Sequence, residues 1–404
     1  MKMNGNLALP AGWGHAPLKR LTRFGYGDAL AADIRDPGGS VAVYGSNGPF
    51  DVHSAANTLS PCIIVGRKGS YGKCQFSEDN VYAVDTTFVI DKRHTNADLR
   101  YLFYLLGVLG LDELSDDTAV PGLSREKAYQ FLAPAPPIET QKRIAVFLDE
   151  KTVQIDALIE KKRALLDRLA EKRQAIITQA VTKGLNPVVP MKDSGIDWLG
   201  QIPAHWEVRG LTKCTTRVDY RGATPEKSTS GVFLVTARNI KDGQIDYKLS
   251  EEFIPDEDYE YVMRRGKPII GEVLFTTEAP LGEIANVDQI GVALAQRIIK
   301  LSSSMANLDN YYLALWMRSK KFQFDVLSRA TGSTALGIKA SKIVELRCLL
   351  PPMSEQQKIV SYVNSAQNAI NAVQIKVEKS RDQLVEYRSA LITAAVTGQI
   401  EGLR

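Results

Sequence analysis

From Glu139 to Lys183 the chain carries neither glycine nor proline, and apolar residues recur on a heptad frame: Ile144, Leu148, Ile155, Leu158, Leu165, Leu169 and Ile176. Lys151, Lys162 and Lys172 interrupt the same stripe. Each lysine can bury its methylene stem and keep its ammonium in water. The stretch is rich in Ala, Leu, Ile, Lys, Glu, Arg and Gln, which favour helix. Pro136-Pro137 supplies a stop before it and Gly184 one after it. The pattern predicts a helix of about 45 residues, ~65 Å long at 1.5 Å per residue.

The same pattern returns 215 residues later: Ile359, Val363, Ala366, Ile370, Val373, Val377, Ser380, Leu384, Tyr387 and Leu391, with Ala366, Val377 and Tyr387 at the lysine positions. Pro136-Pro137-Ile138-Glu139-Thr140-Gln141 is echoed by Pro351-Pro352-Met353-Ser354-Glu355-Gln356. Arg173 to Thr182 is echoed by Arg388 to Thr397. The period is too long for a solenoid and implies two copies of one module. Helices this long rarely find enough apolar surface on one small domain, so the two stripes are expected to pair as a coiled coil. Parallel pairing would force the short linker 185–202 to return ~65 Å. Antiparallel pairing avoids that.

The expected fold class is α+β. Two strand-rich α/β domains sit at opposite ends of an antiparallel two-helix coiled coil with pseudo-twofold symmetry. The domains are 1–138, a central long helix 139–184, a linker 185–202, a second domain 203–352, and a C-terminal helix and tail 353–404. Leu9-Pro10-Ala11-Gly12-Trp13 and Ile202-Pro203-Ala204-His205-Trp206 open the two modules alike, with Trp13 and Trp206 as core anchors. Val41–Tyr44, Cys62–Gly66 and Val273–Thr276 read as strands, Asp98–Leu106 and Asp309–Met317 as helices. Gly122…Lys127 and Gly337…Lys342 close the modules in the repeat's register. The interiors otherwise differ, as expected of a constant frame whose interiors select different targets.

At 404 residues, with 44% hydrophobic and 24% charged residues, the composition is that of an ordinary globular protein. No apolar run approaches the ~20 residues of a membrane helix, and no signal-peptide pattern is present, so a cytoplasmic location is expected. Cys62, Cys74, Cys214 and Cys348 are too scattered for a zinc knuckle and too few for a disulfide framework. The net charge of +4 permits nucleic-acid binding without requiring it.

Catalytic motifs fail on inspection. Asn186-Pro187-Val188 lacks the second proline and aromatic of an amino-methyltransferase motif. Gly66 to Lys73 resembles a phosphate loop, but five residues separate Gly66 from Gly72 and Cys74 stands where Ser or Thr is needed. Pro255-Asp256 is not followed by a nuclease acidic-x-Lys, and the four histidines show no metal-ligand spacing.

The two Pro-Pro-x-x-x-Gln segments, the closing Ala-x-x-Thr-x-Ala-Val-Thr of each helix, and Asp193-Ser194-Gly195-Ile196-Asp197-Trp198-Leu199-Gly200-Gln201-Ile202-Pro203 resemble the specificity subunits of type I restriction–modification systems. The resemblance covers nearly the whole chain. It implies a non-catalytic subunit whose two target-recognition domains each read half of a bipartite DNA site. The helices set the spacing and dock two methyltransferase subunits, which carry S-adenosylmethionine and methylate adenine N6. Restriction subunits, using ATP and Mg, add cleavage of unmethylated DNA. The implied partners are double-stranded DNA and these subunits; no cofactor is bound by this chain and no metal is held. Thr140 stands where the second copy has Glu355, a difference expected to matter little. The alternative is a coiled-coil scaffold with two ligand-binding modules; salt-sensitive DNA retention separates the readings.

Under the resemblance, the candidate DNA-contacting residues of the first module are Tyr44, Ser46, Asn47, Arg67, Lys68, Ser70, Tyr71 and Lys73. Those of the second are Arg221, Thr236, Arg238, Asn239, Lys241, Thr276, Thr277, Glu278, Lys339 and Lys342. Arg and Lys contact guanine or phosphate, Asn reads adenine, and Glu accepts from cytosine N4. A basic glycine-rich turn is otherwise a solvated hairpin, and the glycines here would permit close backbone approach.

Overall fold

The computed structural model describes residues 9–114, 122–222, 225–333 and 335–404. The fold is α+β. The long helices run Ile138–Lys183, 46 residues, and Met353–Val396, 44 residues. Two compact units are formed, one by residues 1–164 with 377–404 and one by residues 165–376. The division cuts through both helices instead of falling at their ends. Each unit therefore holds one module, the beginning of the long helix that follows it, and the end of the other long helix.

In the first unit the strands that matter are β1 (Val41–Gly45), β2 (Cys62–Gly66), β3 (Cys74–Ser77), β4 (Tyr82–Ala83) and β5 (Thr87–Ile90). Gly25–Tyr26, β5, β2 and β3 form an antiparallel sheet in that order. β1 lies between Gly48–His53, antiparallel, and β4, parallel. All five residues of β2 are buried, which is why it reads as a continuous apolar run. The helix Leu99–Val108 packs on the sheet, its start capped by the Asp98 carboxylate accepting from Tyr101 N at 2.8 Å.

The second unit repeats this topology with β6 (Val232–Val235), β7 (Val273–Thr277), β8 (Leu281–Asn286), β9 (Ala293–Leu294) and β10 (Ile298–Ser303). Thr215–Asp219, β10, β7 and β8 make the antiparallel sheet. β6 lies between Phe253–Ile254, antiparallel, and β9, parallel. Asp309 caps the helix Asn310–Arg318. The two interiors share a topology their sequences do not advertise.

The repeated motifs seat each module on the helices. Gln141 Oε1 accepts Asp98 N at 2.9 Å while its Nε2 donates to Pro136 O at 2.8 Å. Tyr101 Oη lies 3.1 Å from Pro134 O and 3.4 Å from Val396 O. In the second unit Tyr312 Oη lies 3.5 Å from Val181 O, and Val181 is the repeat equivalent of Val396. Ala180, Val181, Ala395 and Val396 are buried there, and Thr182 and Thr397 each donate to the carbonyl four residues back at 2.6 Å. The closing motif thus combines small residues that admit the module with hydroxyls that bond back onto the helix's own carbonyls.

Within each unit the helix segments run antiparallel. In the first, Arg143 donates to Arg404 O at 2.6 Å and Asp156 pairs with Arg388 at 2.8 Å. In the second, Arg173 donates to Asn371 and to Gln374, while Ile177 and Val181 share a core with Ile359 and Val363. Asp156 and Arg173 have Asn371 and Arg388 as their repeat equivalents, so each unit makes a version of the same contact.

The predicted stripe is half correct. Ile144, Leu148, Ile155, Ile359, Val363, Ile370 and Val377 are buried, and Leu169, Ile176, Leu384 and Leu391 half-buried. Leu158, Leu165 and Val373 are 45%, 39% and 45% exposed. The inner face instead takes the next residue: Thr152, Ile159, Leu166 and Arg173 on the first helix, Gln367, Gln374, Arg381 and Arg388 on the second. Leu158-Ile159 and Leu165-Leu166 are apolar pairs, so periodicity alone admits both frames. The observed frame moves Lys151 and Lys172 off the seam.

Trp206 is buried and packs on Gly184, while Trp13 is half-buried beside Gly398. Glu355 has a defined role: its carboxylate accepts Trp206 Nε1 at 3.0 Å and faces His205 Nε2 at 2.6 Å. Thr140 offers no carboxylate for such a contact, so the exchange does matter locally.

Candidate nucleic-acid interface

In the first module four chain segments meet at one end of the sheets. They are the turn after β1 (Ser46-Asn47), the β2–β3 hairpin, the β4–β5 connector (residues 84–86) and Gly122-Leu123. The Thr86 carbonyl is their hub: Arg67 N, Lys68 N and Ser46 Oγ donate to it at 2.8, 3.2 and 2.6 Å. Arg67 Nη1 donates to Asp85 O at 2.9 Å, and its guanidinium lies 5.0 Å from the Tyr26 ring centroid. Leu123 N donates to Arg67 O at 2.8 Å, and Lys68 bridges to Gly122.

The second module builds the same rim from the turn after β6 (residues 236–238), the β7–β8 hairpin (278–280), the β9–β10 connector (295–297) and Gly337-Ile338. Here the hub is the Arg297 carbonyl, which accepts Thr277 N at 2.8 Å and Thr277 Oγ1 at 3.1 Å. Ile338 N donates to Thr277 O at 3.0 Å, and Glu278 bridges to Gly337. Gly122 and Gly337 are repeat equivalents, so the frame delivers the fourth segment to the same place in each module. A cleft of about 200 Å³ opens among these segments, lined by Lys227, Arg238, Gln296 and Arg297 among others.

The rims sort the candidates. Asn47, Lys68, Lys73, Arg238, Lys241, Glu278, Lys339 and Lys342 are exposed; Tyr44, Arg67, Ser70, Tyr71, Arg221 and Thr236 are half-buried. Lys241 lies in the Ile240–Ile245 hairpin, outside the four segments, and Lys342 pairs with Glu345 at 2.7 Å. Lys339 and Lys342 follow Gly332-Ser333-Thr334, of which Thr334 lies outside the described residues.

Several candidates are corrected. Thr276 and Thr277 are buried, Thr276 Oγ1 accepting Glu283 N and Thr277 bonding Arg297 O. Asn239 is fully buried: Oδ1 accepts from Thr236 N and Oγ1, while Nδ2 donates to Asp246 O and Ser250 O. All its capacity holds the turn together, leaving nothing for adenine. Ser46 is likewise buried on Thr86 O. Arg221 grips Asp219 and donates to Ile338 O, a structural task. Burial of Asp219 opposes its charge, but the Arg221 hydrogen bonds outweigh that and hold its carboxyl below the usual range. The close approach at Gly72 (φ 75°) is to the protein's own Leu111-Asp112 backbone, not to an open surface.

Sequence reading missed Lys227, Gln296 and Arg297. Arg297 has φ 79°, a left-handed conformation for a non-glycine residue, which no residue pattern announces.

Cys62, Cys214 and Cys348 are buried, and burial pushes the Cys74 thiol up to about 12. Among the described residues no cluster of His, Cys, Asp and Glu could hold a metal, and no helix is long and apolar enough to cross a membrane.

Residues 226–379 match the family model of the type I restriction modification DNA specificity domain. The chain is 24% identical over 333 residues to the type I restriction enzyme MjaVIII specificity subunit of Methanocaldococcus jannaschii, covering 78% of this chain and 73% of that one. It is 21% identical over 351 residues to the Escherichia coli EcoBI specificity subunit, 84% and 73% being covered. Among solved structures, a chain of a type I R-M system superposes with a TM-score of 0.66 at 16% identity, covering 98% of this chain and 100% of that one. The HsdS subunit from Thermoanaerobacter tengcongensis gives 0.50 at 17% identity, covering 98% and 99%. The structural likenesses show a shared fold.

Proposed function

We propose that this chain, which belongs to the family of type I restriction–modification specificity subunits, is the DNA-reading subunit of a methyltransferase and restriction complex. Each module reads one half of a bipartite site. The helices set the spacing between the halves and dock two methyltransferase subunits that methylate adenine N6. S-adenosylmethionine belongs to those subunits, and ATP and Mg to the restriction subunits that direct cleavage of unmethylated DNA. This chain contributes recognition, not chemistry.

The observation that carries the reading is the pair of rims. Frame contacts recur at Gln141 and Gln356, and at Gly122 and Gly337, while the side chains presented differ: Arg67, Lys68 and Lys73 in one rim, Arg238, Glu278 and Arg297 in the other. A repeated frame with divergent readers suits two unlike half-sites. Phosphate contacts would fix register and base-edge contacts would specify sequence. Docking is supported by apolar residues outside the helix seam. Val146, Val153, Leu158, Val385 and Tyr387 are exposed in the first unit, and Tyr362, Leu165, Val373 and Ile375 in the second. Such an array of exposed apolar side chains suits a partner.

The test is co-expression with the cognate methyltransferase subunit in a host lacking adenine methylation, followed by modification-sensitive genome sequencing. N6-methyladenine confined to one bipartite motif and dependent on this chain is expected. An assembled, active complex that marks no motif would leave the scaffold reading in its place.

A further inference from the structure

We infer that Arg297 and Glu278 are the base-reading pair of the second module and that they select a G·C base pair. The inference rests on the DNA-recognition reading above and deepens it.

Arg297 adopts φ 79°, a conformation that costs a non-glycine residue energy and persists only where its surroundings impose it. Thr277, itself buried, imposes it by bonding the Arg297 carbonyl twice. Ala279, across the cleft, is also left-handed at φ 45°. The strain aims an arginine outward, beside the cleft. Its Nε lies 2.9 Å from Glu278 Oε1, with the two side chains 47% and 48% exposed. A surface pair this exposed contributes little to stability, so stability does not account for the strain.

The way the pair is made matters. Glu278 Oε1 sits against Nε as an ion partner, and both terminal guanidinium nitrogens are without a hydrogen-bond partner among the described residues. That edge is the two-donor fork that fits guanine O6 and N7. The second carboxylate oxygen of Glu278 lies against Gly337, where an added Cβ would stand 3.4 Å away. Side by side, the pair offers two donors and then an acceptor. A G·C pair presents two acceptors and then the cytosine N4 donor in its major groove. An A·T pair presents adenine N6–H₂ to the fork and thymine O4 to the carboxylate, and both meetings repel. Arg238, at the cleft edge, is placed for phosphate. In the first module the residue at the Arg297 position is Thr86, and the arginine comes from the hairpin as Arg67, so the two half-sites are read by different chemistry.

The experiment uses the full chain assembled with its methyltransferase subunits, as wild type, Arg297→Ala, Arg297→Lys and Glu278→Gln. Each complex is titrated with duplexes bearing the motif found by genome sequencing and with duplexes in which each base pair is replaced in turn. Wild type is expected to discriminate about tenfold or more against replacing one G·C pair in one half-site. Arg297→Ala and Glu278→Gln are expected to flatten that position alone and leave the other half-site's discrimination intact. Retention of the wild-type profile by both variants overturns the inference while leaving the DNA-recognition reading standing. If Arg297→Ala fails to assemble, Arg297→Lys, which keeps the charge and loses the fork, must still flatten the position. A wild-type complex that prefers no duplex over random competitor sinks the recognition reading itself.

Discussion

Gln356 Oε1 accepts the backbone N–H of Asp309 at 2.8 Å, joining the first turn of a 44-residue helix to the N-cap of the helix inside the module it follows. The Gln356 amide also donates to Asn307 O and Pro351 O, at 2.7 and 2.8 Å, and the side chain is fully buried. Gln356→Leu strands these groups, and a buried polar group without a partner costs about 1–3 kcal/mol. The loss should appear as a lower urea midpoint followed by tryptophan fluorescence, since Trp206 and Trp316 lie in the core of that unit. An unchanged midpoint refutes the linkage.

Lys300 and Glu272 form an ion pair at 2.7 Å with side chains only 7% and 9% exposed. Lys300 also donates to Lys267 O at 2.7 Å, and Glu272 accepts Ile269 N at 2.7 Å. Removing one partner leaves a buried charge, so Lys300→Met should cost about 3–5 kcal/mol. Lys300→Met with Glu272→Leu should recover much of that. A double variant as unstable as the single one would show that the pair is worth more than its desolvation.

Asp91 is inaccessible to solvent and accepts from Leu59 N, Arg93 N and the Arg93 guanidinium, with His94 Nδ1 at 2.9 Å. Burial opposes its charge, but these hydrogen bonds win and its carboxyl titrates well below the usual range. A depressed folded pKa gives stability that is complete above the unfolded value near 3.9 and is lost as pH falls below it. Wild-type stability should therefore fall through this carboxylate below about pH 4, and Asp91→Asn should remove that part of the slope. Stability measured against pH between about 5 and 2 decides it; parallel curves would exclude the assignment.

Arg238 is exposed at the cleft, whereas its neighbour Asn239 is buried in the turn. Arg238→Ala should weaken DNA binding and lower the slope of log affinity against log salt by about one, with no change in unfolding. Asn239→Ala should instead destabilise the module by about 1–3 kcal/mol. Salt titrations of binding beside melting curves separate the two. The same salt slope in Arg238→Ala as in wild type would remove the phosphate role.

The repeat, the helices and the α+β class were legible in the amino-acid sequence because they rest on local rules. Proline and glycine bound the helices, periodicity marks their apolar face, and a 215-residue echo declares two copies. The strand Cys62–Gly66 and the helices that open at Asp98 and Asp309 were legible for the same reason. What tertiary structure alone decided turns on which neighbour a residue meets. Leu158 and Ile159 satisfy the heptad pattern equally, and only the opposing helix buries Ile159 and leaves Leu158 out. Asn239, Thr276 and Thr277 have the chemistry of base readers, but turn and sheet bring their polar atoms to backbone partners first. Arg297 carries no distinguishing pattern. Its left-handed backbone and its place beside Glu278 exist because Thr277, twenty positions earlier in the chain, binds its carbonyl, a meeting that only the folded sheet brings about.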